Sequence, residues 1–436
     1  MKMKKPIQVF KFGGASLRNA EGLRNVTGIV EAYRELPLVI VVSAFSGITN
    51  RLEEVAGAHY AGNGQAAEIL GEIRSHHLGI MGGLFEAGHP VYEEMESQFD
   101  AVREVLAAHP DDNYDFLYDK IVCLGELASS VVVAAWFTHC GLPVSWLDAR
   151  EFIITDDIYR EGWVQWPETE ERSEQFLRPV IDSGRIVLTQ GFIGSTADRH
   201  TTTLGREGSD YTAAILSFCL NAESMTIWKD VPGVLTADPR LFENVVKLDR
   251  LSYREAIEMT YYGAKVIHPK TIKPLQNKSI PLYVKSFLKP DEEGTCISGD
   301  VDDFYPPIVT VERNQALLQI STRDFSFVAE HHISLMFRLI AELRLQVNMM
   351  QNSAISFSVC FNDMDDKVDR FMDALQRDFK ITATRGLELI TVRHYREETL
   401  ESLKKGRIML LEERFRHTTQ MVVKDVPLIR RKDQEE

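Results

Sequence analysis

Short apolar runs rich in β-branched residues alternate along the first two thirds of the chain with longer stretches whose apolar positions recur at helical spacing. Ile7–Phe12, Leu38–Ser43, Pro143–Leu147, Arg185–Phe192, Ser224–Asp230 and Ile280–Phe287 read as buried strands. Between them, Asp115–His139, Ser209–Leu220 and Ser252–Tyr262 read as helices. Strand–helix alternation of this kind predicts an α/β fold: a largely parallel sheet sandwiched by helices.

The acidic, Gly- and Pro-bearing segment Lys289–Pro307 interrupts the alternation and reads as a domain boundary. Beyond it the pattern is strand Ala316–Asp324, helix Glu330–Arg344, strands Leu345–Ser353 and Ala354–Asn362, helix Asp365–Phe379 and strand Lys380–Arg385. That order, βαββαβ, is a ferredoxin-like unit. A shorter second round follows, with strand Leu387–Tyr395, helix Glu397–Lys405 and two strands across Arg407–Lys424. The expected domains are therefore 1–295, 308–386 and a shortened unit at 387–425, with a polar tail at 426–436. The second unit lacks its last elements, so it needs strand Ile308–Arg313 or a partner chain to complete its sheet.

Composition narrows the function classes. The 436 residues are 44% hydrophobic and 26% charged, which is too apolar for a disordered chain. Lys and Arg number 49 against 64 Asp and Glu, a net charge of −15. Such a surface argues against nucleic acids and anionic membranes as partners, while leaving room for a local cationic site. No stretch reads as a signal peptide, because Lys11 breaks the apolar run at Ile7–Phe10, and none approaches the ~18 apolar residues that span a bilayer. The five scattered cysteines lack metal-ligand spacing and read as reduced, buried packing residues, with a cytoplasmic location expected.

Four segments carry candidate chemistry. Lys11-Phe12-Gly13-Gly14-Ala15-Ser16 ends the first strand in a turn whose amides can hold anionic oxygens, with Lys11 to neutralise phosphate charge. Thr201–Asp210 (TTTLGREGSD) precedes an apolar helix, whose N-terminus is a second anion site, and the planar fork of Arg206 suits a carboxylate. Ile227–Arg240 (IWKDVPGVLTADPR) turns outward from the end of a buried strand, where open α/β sheets bind ligands. Gly263–Pro269 (GAKVIHP) places Lys265 between two helices. Taken singly, each also fits a tight turn, a helix cap or a solvated charge.

Taken together with Val41–Asn50 (VVSAFSGITN) and Gly125–Ser129 (GELAS), these segments occur in the order and spacing seen in aspartate kinases of the amino acid kinase family. The chain resembles a monofunctional member, since no homoserine dehydrogenase domain follows, and its C-terminal units resemble ACT domains. The resemblance implies transfer of the γ-phosphoryl group of ATP to the side-chain carboxylate of L-aspartate, with Mg²⁺ held mainly by the phosphates. It assigns Lys11 and Asp210 to catalysis, and Ser43, Thr49, Glu126 and Arg206 to the aspartate pocket. It assigns Lys11, Gly13, Gly14, Gly208, Ser209, Lys229, Asp230, Leu235, Arg240, Lys265 and Val266 to the nucleotide. It gives no protein cage for a metal, and it implies a homodimer through the ACT domains and an amino-acid effector.

Some positions depart from the pattern. Glu207 stands where the family has glycine; a left-handed backbone there costs Glu on the order of 1 kcal/mol, and its carboxylate is expected to turn outward. Ala15 and Lys229 each replace a common Thr. In the first ACT-like unit, Asn348 aligns with an Asp that meets the effector's ammonium in lysine-sensitive relatives, and Glu330-His331-His332 replaces a small, Gly-containing helix start. Weak or no inhibition by lysine is therefore expected. The rival readings are a kinase acting on glutamate or N-acetylglutamate, and an inactive amino-acid-binding regulator.

Overall fold

A computed structural model describes residues 5–109, 113–264, 267–299, 301, 304–324, 326–363 and 366–425. The expected tail, Lys265 and Val266 lie outside these residues. The chain divides into two compact units. One comprises Met1–Val234, Lys247–Ile257 and Lys265–Asp302; the other comprises Leu235–Val246, Glu258–Ala264 and Asp303–Glu436.

The first unit is built on β1 (Gln8–Phe12), β2 (Leu38–Val42), β3 (Val144–Leu147), β4 (Ile186–Gln190), the small hairpin β5 (Ile193–Ser195) and β6 (Thr201–Thr203), and β7 (Ser224–Lys229). The short strands β8 (Val234–Leu235) and β9 (Lys247–Leu248) follow, then β10 (Arg250–Ser252), β11 (Leu282–Ser286) and β12 (Thr295–Ser298). Eight of them form one sheet in the order β10-β12-β11-β7-β1-β2-β4-β3, parallel except between β11 and β12. Its helices are α1 (Ala20–Ala32), α2 (Ile48–Tyr60), α3 (Ala66–Gly82), α4 (Val91–Ala107), α5 (Tyr114–His139), α6 (Trp166–Asp182), α7 (Gly208–Cys219) and α9 (Pro269–Asn277); α8 is Tyr253–Tyr261. Strands buried on both faces explain the near-continuous apolar runs: all five residues of β2 and of β4 are buried. Because β12 lies within the segment read as a boundary, the main sheet ends later than expected; a short strand between charged turns carries too little periodicity to show.

Central β1 has β2 on one side and β7 on the other. Chain order reverses at this point, which opens a crevice at the strands' carboxyl ends. Helix α5 is capped by Asn113, whose side chain accepts from the Asp115 and Phe116 amides, and it runs through the core for 26 residues. Contrary to the sequence reading, α5 is long and apolar enough to cross a membrane, but 89% of its most apolar window is buried within the protein.

In the second unit, β13 (Ile308–Thr322), β14 (Val347–Asn352), β15 (Ser356–Asn362), β16 (Phe379–Arg393), β17 (Arg407–Arg414) and β18 (Thr418–Asp425) form one sheet in the order β14-β15-β13-β16-β18-β17. Helices α10 (Glu330–Glu342) and α11 (Lys367–Leu375) pack on one part of it, around Leu318, Met336 and Phe371. Helix α12 (Glu397–Lys404) packs through Leu400 and Leu403 on another, around Ile390 and Val392. The 15-residue strands β13 and β16 each serve two ferredoxin-like arrangements. Gln315–Thr322 pairs with the first half of β16, and Ile308–Glu312 pairs with Leu389–Arg393, with register shifts between the two stretches. Ile308–Glu312, ahead of the first ferredoxin-like arrangement, thus completes the sheet of the second arrangement.

The cysteines also differ from expectation. Cys123, Cys219 and Cys360 are buried, but Cys296 is half-buried and Cys140 exposed.

Candidate active site

The turn after β1 carries Lys11's ammonium back over Gly13: a Cβ there would lie 3.2 Å from Nζ. One residue on, a Cβ at Gly14 would press on the Ala44 carbonyl and the Ser46 Cα, both at 3.2 Å, so the turn packs directly on the end of β2. Helix α7 begins equally close to its neighbours. A Cβ at Gly208 would sit 2.6 Å from the Phe192 ring, and one at Gly191 would sit 2.5 Å from Ser209 Cβ. Both glycines are required by close approach rather than by turn geometry.

These contacts bring three charged side chains together. Lys11 Nζ lies 2.6 Å from Asp210 Oδ1, in the first turn of α7, and Lys229 Nζ, at the end of β7, lies 4.0 Å from Asp210 Oδ2. Burial alone raises the Asp210 pKa, but Lys11 and then Lys229 outweigh it and hold the carboxyl below its usual range. The result is an anion clamped between two ammonium groups at the mouth of the crevice, in a setting where screening by water is weak.

Glu126 projects from α5 into the same place. Its Oε1 accepts from Ser209 Oγ at 3.3 Å, while Oε2 is buried with no hydrogen-bond partner. Burial pushes its pKa up to about 8, against the opposing effects of Lys11, the Ala44 amide and Ser209. The free protein therefore holds Glu126 largely protonated at neutral pH. Ser129, one turn along α5, donates through Oγ to the carbonyls of Ser43 (2.9 Å) and Glu126 (2.7 Å), fixing the end of β2 against the helix.

Lys11, Gly13, Gly14, Ser43, Glu126, Gly208, Ser209, Asp210 and Lys229 are thus linked contact by contact. Thr49 is half-buried in the first turn of α2, behind the left-handed Gly47. Arg206 is exposed one turn before Asp210, and Asp230 is exposed after Lys229. Leu235 and Arg240 belong to the second compact unit, where Arg240 is 86% exposed and pairs with Asp238 at 2.7 Å.

Glu207 has a left-handed backbone, φ 53°, which accounts for glycine at this place in the family motif. Its side chain does not turn out to solvent as expected. It is half-buried, with Oε2 enclosed and without a hydrogen-bond partner, near enough to His268 to act on that ring's charge.

Sequence reasoning missed Asp119 altogether. It is fully buried on α5, two turns before Glu126, and accepts three hydrogen bonds from the loops ahead of α7. An Asp flanked by the apolar positions of α5 was the available signal, because a buried carboxylate is retained only when it is paired.

Residues 6–286 match the amino acid kinase family. The chain is 33% identical over 360 residues to lysine-sensitive aspartokinase 3 of Escherichia coli (strain K12), covering 81% of this chain and 78% of that one. The chain belongs to the amino acid kinase family, among the aspartokinases. It is 29% identical over 388 residues to bifunctional aspartokinase/homoserine dehydrogenase 1 of Arabidopsis thaliana, spanning 85% of this chain but only 42% of that longer one. Crystal structures of E. coli aspartokinase III, one with aspartate and ADP and one with lysine and aspartate, superpose with TM-scores of 0.80 at 26% identity. They cover 96% and 95% of both chains respectively. In this chain the lysine–aspartate–lysine cluster lies at the sheet's carboxyl edge, where open α/β sheets bind ligands.

Proposed function

We propose that the protein is an aspartate kinase that converts ATP and L-aspartate to ADP and 4-phospho-L-aspartate, the first step toward the aspartate-derived amino acids. The observation that carries this reading is the cluster of Lys11, Asp210 and Lys229 beside buried Glu126. Two ammonium groups suit the terminal phosphates of a nucleotide, and an unpaired buried carboxylate oxygen suits an ammonium that arrives with the substrate.

A side-chain carboxylate is already a nucleophile at neutral pH, so no base has to remove a proton from it. Catalysis then consists of holding the two substrates in line and neutralising charge as the phosphoryl group moves. Lys11 meets the transferring group, and Lys229 the neighbouring phosphates. Asp210 holds both lysines in place before the nucleotide arrives. Glu126 takes the α-ammonium of aspartate, releasing its own proton as the pair forms, and Arg206 takes the α-carboxylate. Ser43 and Thr49 line the aspartate side. Gly13, Gly14, Gly208, Ser209 and Asp230 complete the nucleotide side. Mg²⁺ enters with ATP as part of that substrate, and the cationic cluster fits phosphate oxygens better than it fits a bare metal ion.

The second compact unit comprises two ACT-like domains through which copies pair and an amino-acid effector acts. Its sheet order supports the first part of this reading: each arrangement follows the ferredoxin-like strand sequence. Lysine is expected to inhibit weakly or not at all, because Asn348 stands at the ammonium-binding place. Its Nδ2 is committed to Gln315 Oε1 (2.7 Å) and Asn362 Oδ1 (2.9 Å). A strong, saturable loss of activity on lysine titration would contradict this. We expect the protein to work in the cytoplasm, where its five cysteines stay free.

Trapping the acyl phosphate with hydroxylamine tests the main reading. Aspartyl hydroxamate is expected with ATP, Mg²⁺ and L-aspartate, and none with glutamate or N-acetylglutamate. Preference for either of those acceptors, or no product with any, would overturn it.

A further inference from the structure

Asp119 lies about 10 Å along α5 from Glu126, on the same face of the helix. Its carboxylate is fully buried, yet no ligand-facing role falls to it. Oδ2 accepts the backbone N–H of Thr203 and of Arg160, both at 3.0 Å, and Oδ1 accepts the Thr203 hydroxyl at 2.7 Å. Thr203 ends β6, and the residues that follow it are Leu204 to Asp210, which carry Arg206 and the start of α7. Arg160 forms the other jaw. Its backbone is left-handed, φ 68°, its guanidinium bonds Asp115 at 3.1 Å, and that group lies 4.4 Å over the Tyr118 ring. The two jaws are joined, since the Gly162 amide donates to the Thr203 carbonyl at 2.9 Å. Between them sits Gly205: a Cβ there would meet the Arg160 carbonyl at 3.2 Å and Glu161 Cγ at 3.3 Å. The neighbour of Gly205 is Arg206.

We propose that Asp119 is a positioning residue for the aspartate pocket: it clasps Thr203 and Arg160 and so fixes the loop that presents Arg206 and the first turn of α7. One face of a single helix then sets both ends of the amino-acid substrate, through Glu126 directly and through Asp119 by way of the loop. Burial pushes the Asp119 pKa up to about 6 against the opposing hydrogen bonds from Arg160 and Thr203, so the carboxylate is ionised at neutral pH and can accept from all three donors. This inference rests on the aspartate kinase reading for the identity of the ligand, but not for the clasp.

The test uses the full-length chain with Asp119→Ala, Asp119→Asn and Thr203→Val, measuring kcat, KM for each substrate, and amide hydrogen exchange across residues 203–210. Asp119→Ala should raise the KM for aspartate by about tenfold or more while leaving that for ATP within about twofold, and should speed exchange in 203–210. Asp119→Asn should restore a KM close to the parent's: the amide oxygen takes both backbone N–H groups, and its NH₂ donates to the Thr203 hydroxyl. Thr203→Val, which removes one of three donors, should raise the KM for aspartate by about threefold. Should Asp119→Ala fail to fold, Thr203→Val and Asp119→Asn decide the matter. Parallel changes in kcat and both KM values, unchanged exchange at 203–210, or an Asn variant as impaired as the Ala variant would overturn the proposal. An unaltered parent that makes no aspartyl phosphate would overturn the functional reading instead, leaving the exchange experiment to judge the clasp alone.

Discussion

In the first unit, the sheet's carboxyl edge gathers titratable side chains: Glu126 and Asp210, each 3% exposed, beside half-buried Lys11. In the second unit, the polar cluster around Gln315 is neutral, while the buried Arg393 is paired with Glu258 at 3.0 Å. Gln315, fully buried, bonds Asn362 Oδ1 at 2.7 Å, Asn348 donates to both, and Gln420 reaches the Asn348 carbonyl at 3.4 Å. An amide network of this kind satisfies its own donors and acceptors and fixes how strands meet. A charged cluster with an unpaired oxygen does neither as well, and it keeps its cost in stability because it is built to meet a ligand.

The largest effect that could break this contrast lies at Lys11. Lys11→Met should lower kcat by about 10³-fold or more with the fold intact by circular dichroism, since it removes the cation nearest the transferring charge. A loss under tenfold would mean that the cluster is structural.

Glu126→Gln comes next. It should raise the KM for aspartate by about 100-fold through loss of the ammonium partner. The parent's pH dependence sharpens the point. The free protein holds Glu126 protonated below about pH 8, and the substrate needs it ionised. Apparent affinity for aspartate should therefore improve as pH rises toward 8 and level off above it, and Glu126→Gln should lose that slope. Stability runs the other way. The folded-state pKa lies above the unfolded one, so the parent's advantage is complete below about pH 4.5 and is lost as pH rises toward 8. A titration of melting temperature against pH for parent and variant checks the sign.

The amide network should respond in stability alone. Gln315→Leu removes one partner from each of Asn348 and Asn362 and should cost the second unit about 1–3 kcal/mol, several degrees in its melting transition, with kcat within about twofold. A collapse of kcat without a thermal shift would erase the distinction between the two interiors. The smallest change is expected from Glu207→Gly, which relieves the left-handed strain and should raise the melting temperature by about 2–4 °C. A many-fold gain in ATP affinity would show instead that the Glu207 carboxylate faces the phosphates.

Much of this was legible in the sequence because it is local. The apolar run at Ile7–Phe12 and its Gly-Gly turn announce a strand end that can hold phosphate, and the α/β alternation follows from strands buried on both faces. What escaped depends on contacts across the chain. Asp119 has no motif, and its meaning comes from Thr203 and Arg160, which lie 84 and 41 residues away. Strand β13 looked like two pieces because its register against β16 shifts between Glu312 and Gln315, and β15 joins it only from Gln315 onward. The orientation of Glu207 could not be read from its φ preference, since backbone conformation does not decide where a carboxylate finds room.

Phosphorus NMR of the enzyme mixed with ATP, Mg²⁺ and L-aspartate tests the claim that these charges make one phosphoryl-transfer centre. An acyl-phosphate resonance that grows as the γ-phosphate signal falls, and that is lost in Lys11→Met while the nucleotide still binds, is the predicted result. The same resonance at full strength in Lys11→Met, or none in the unaltered protein, would contradict it.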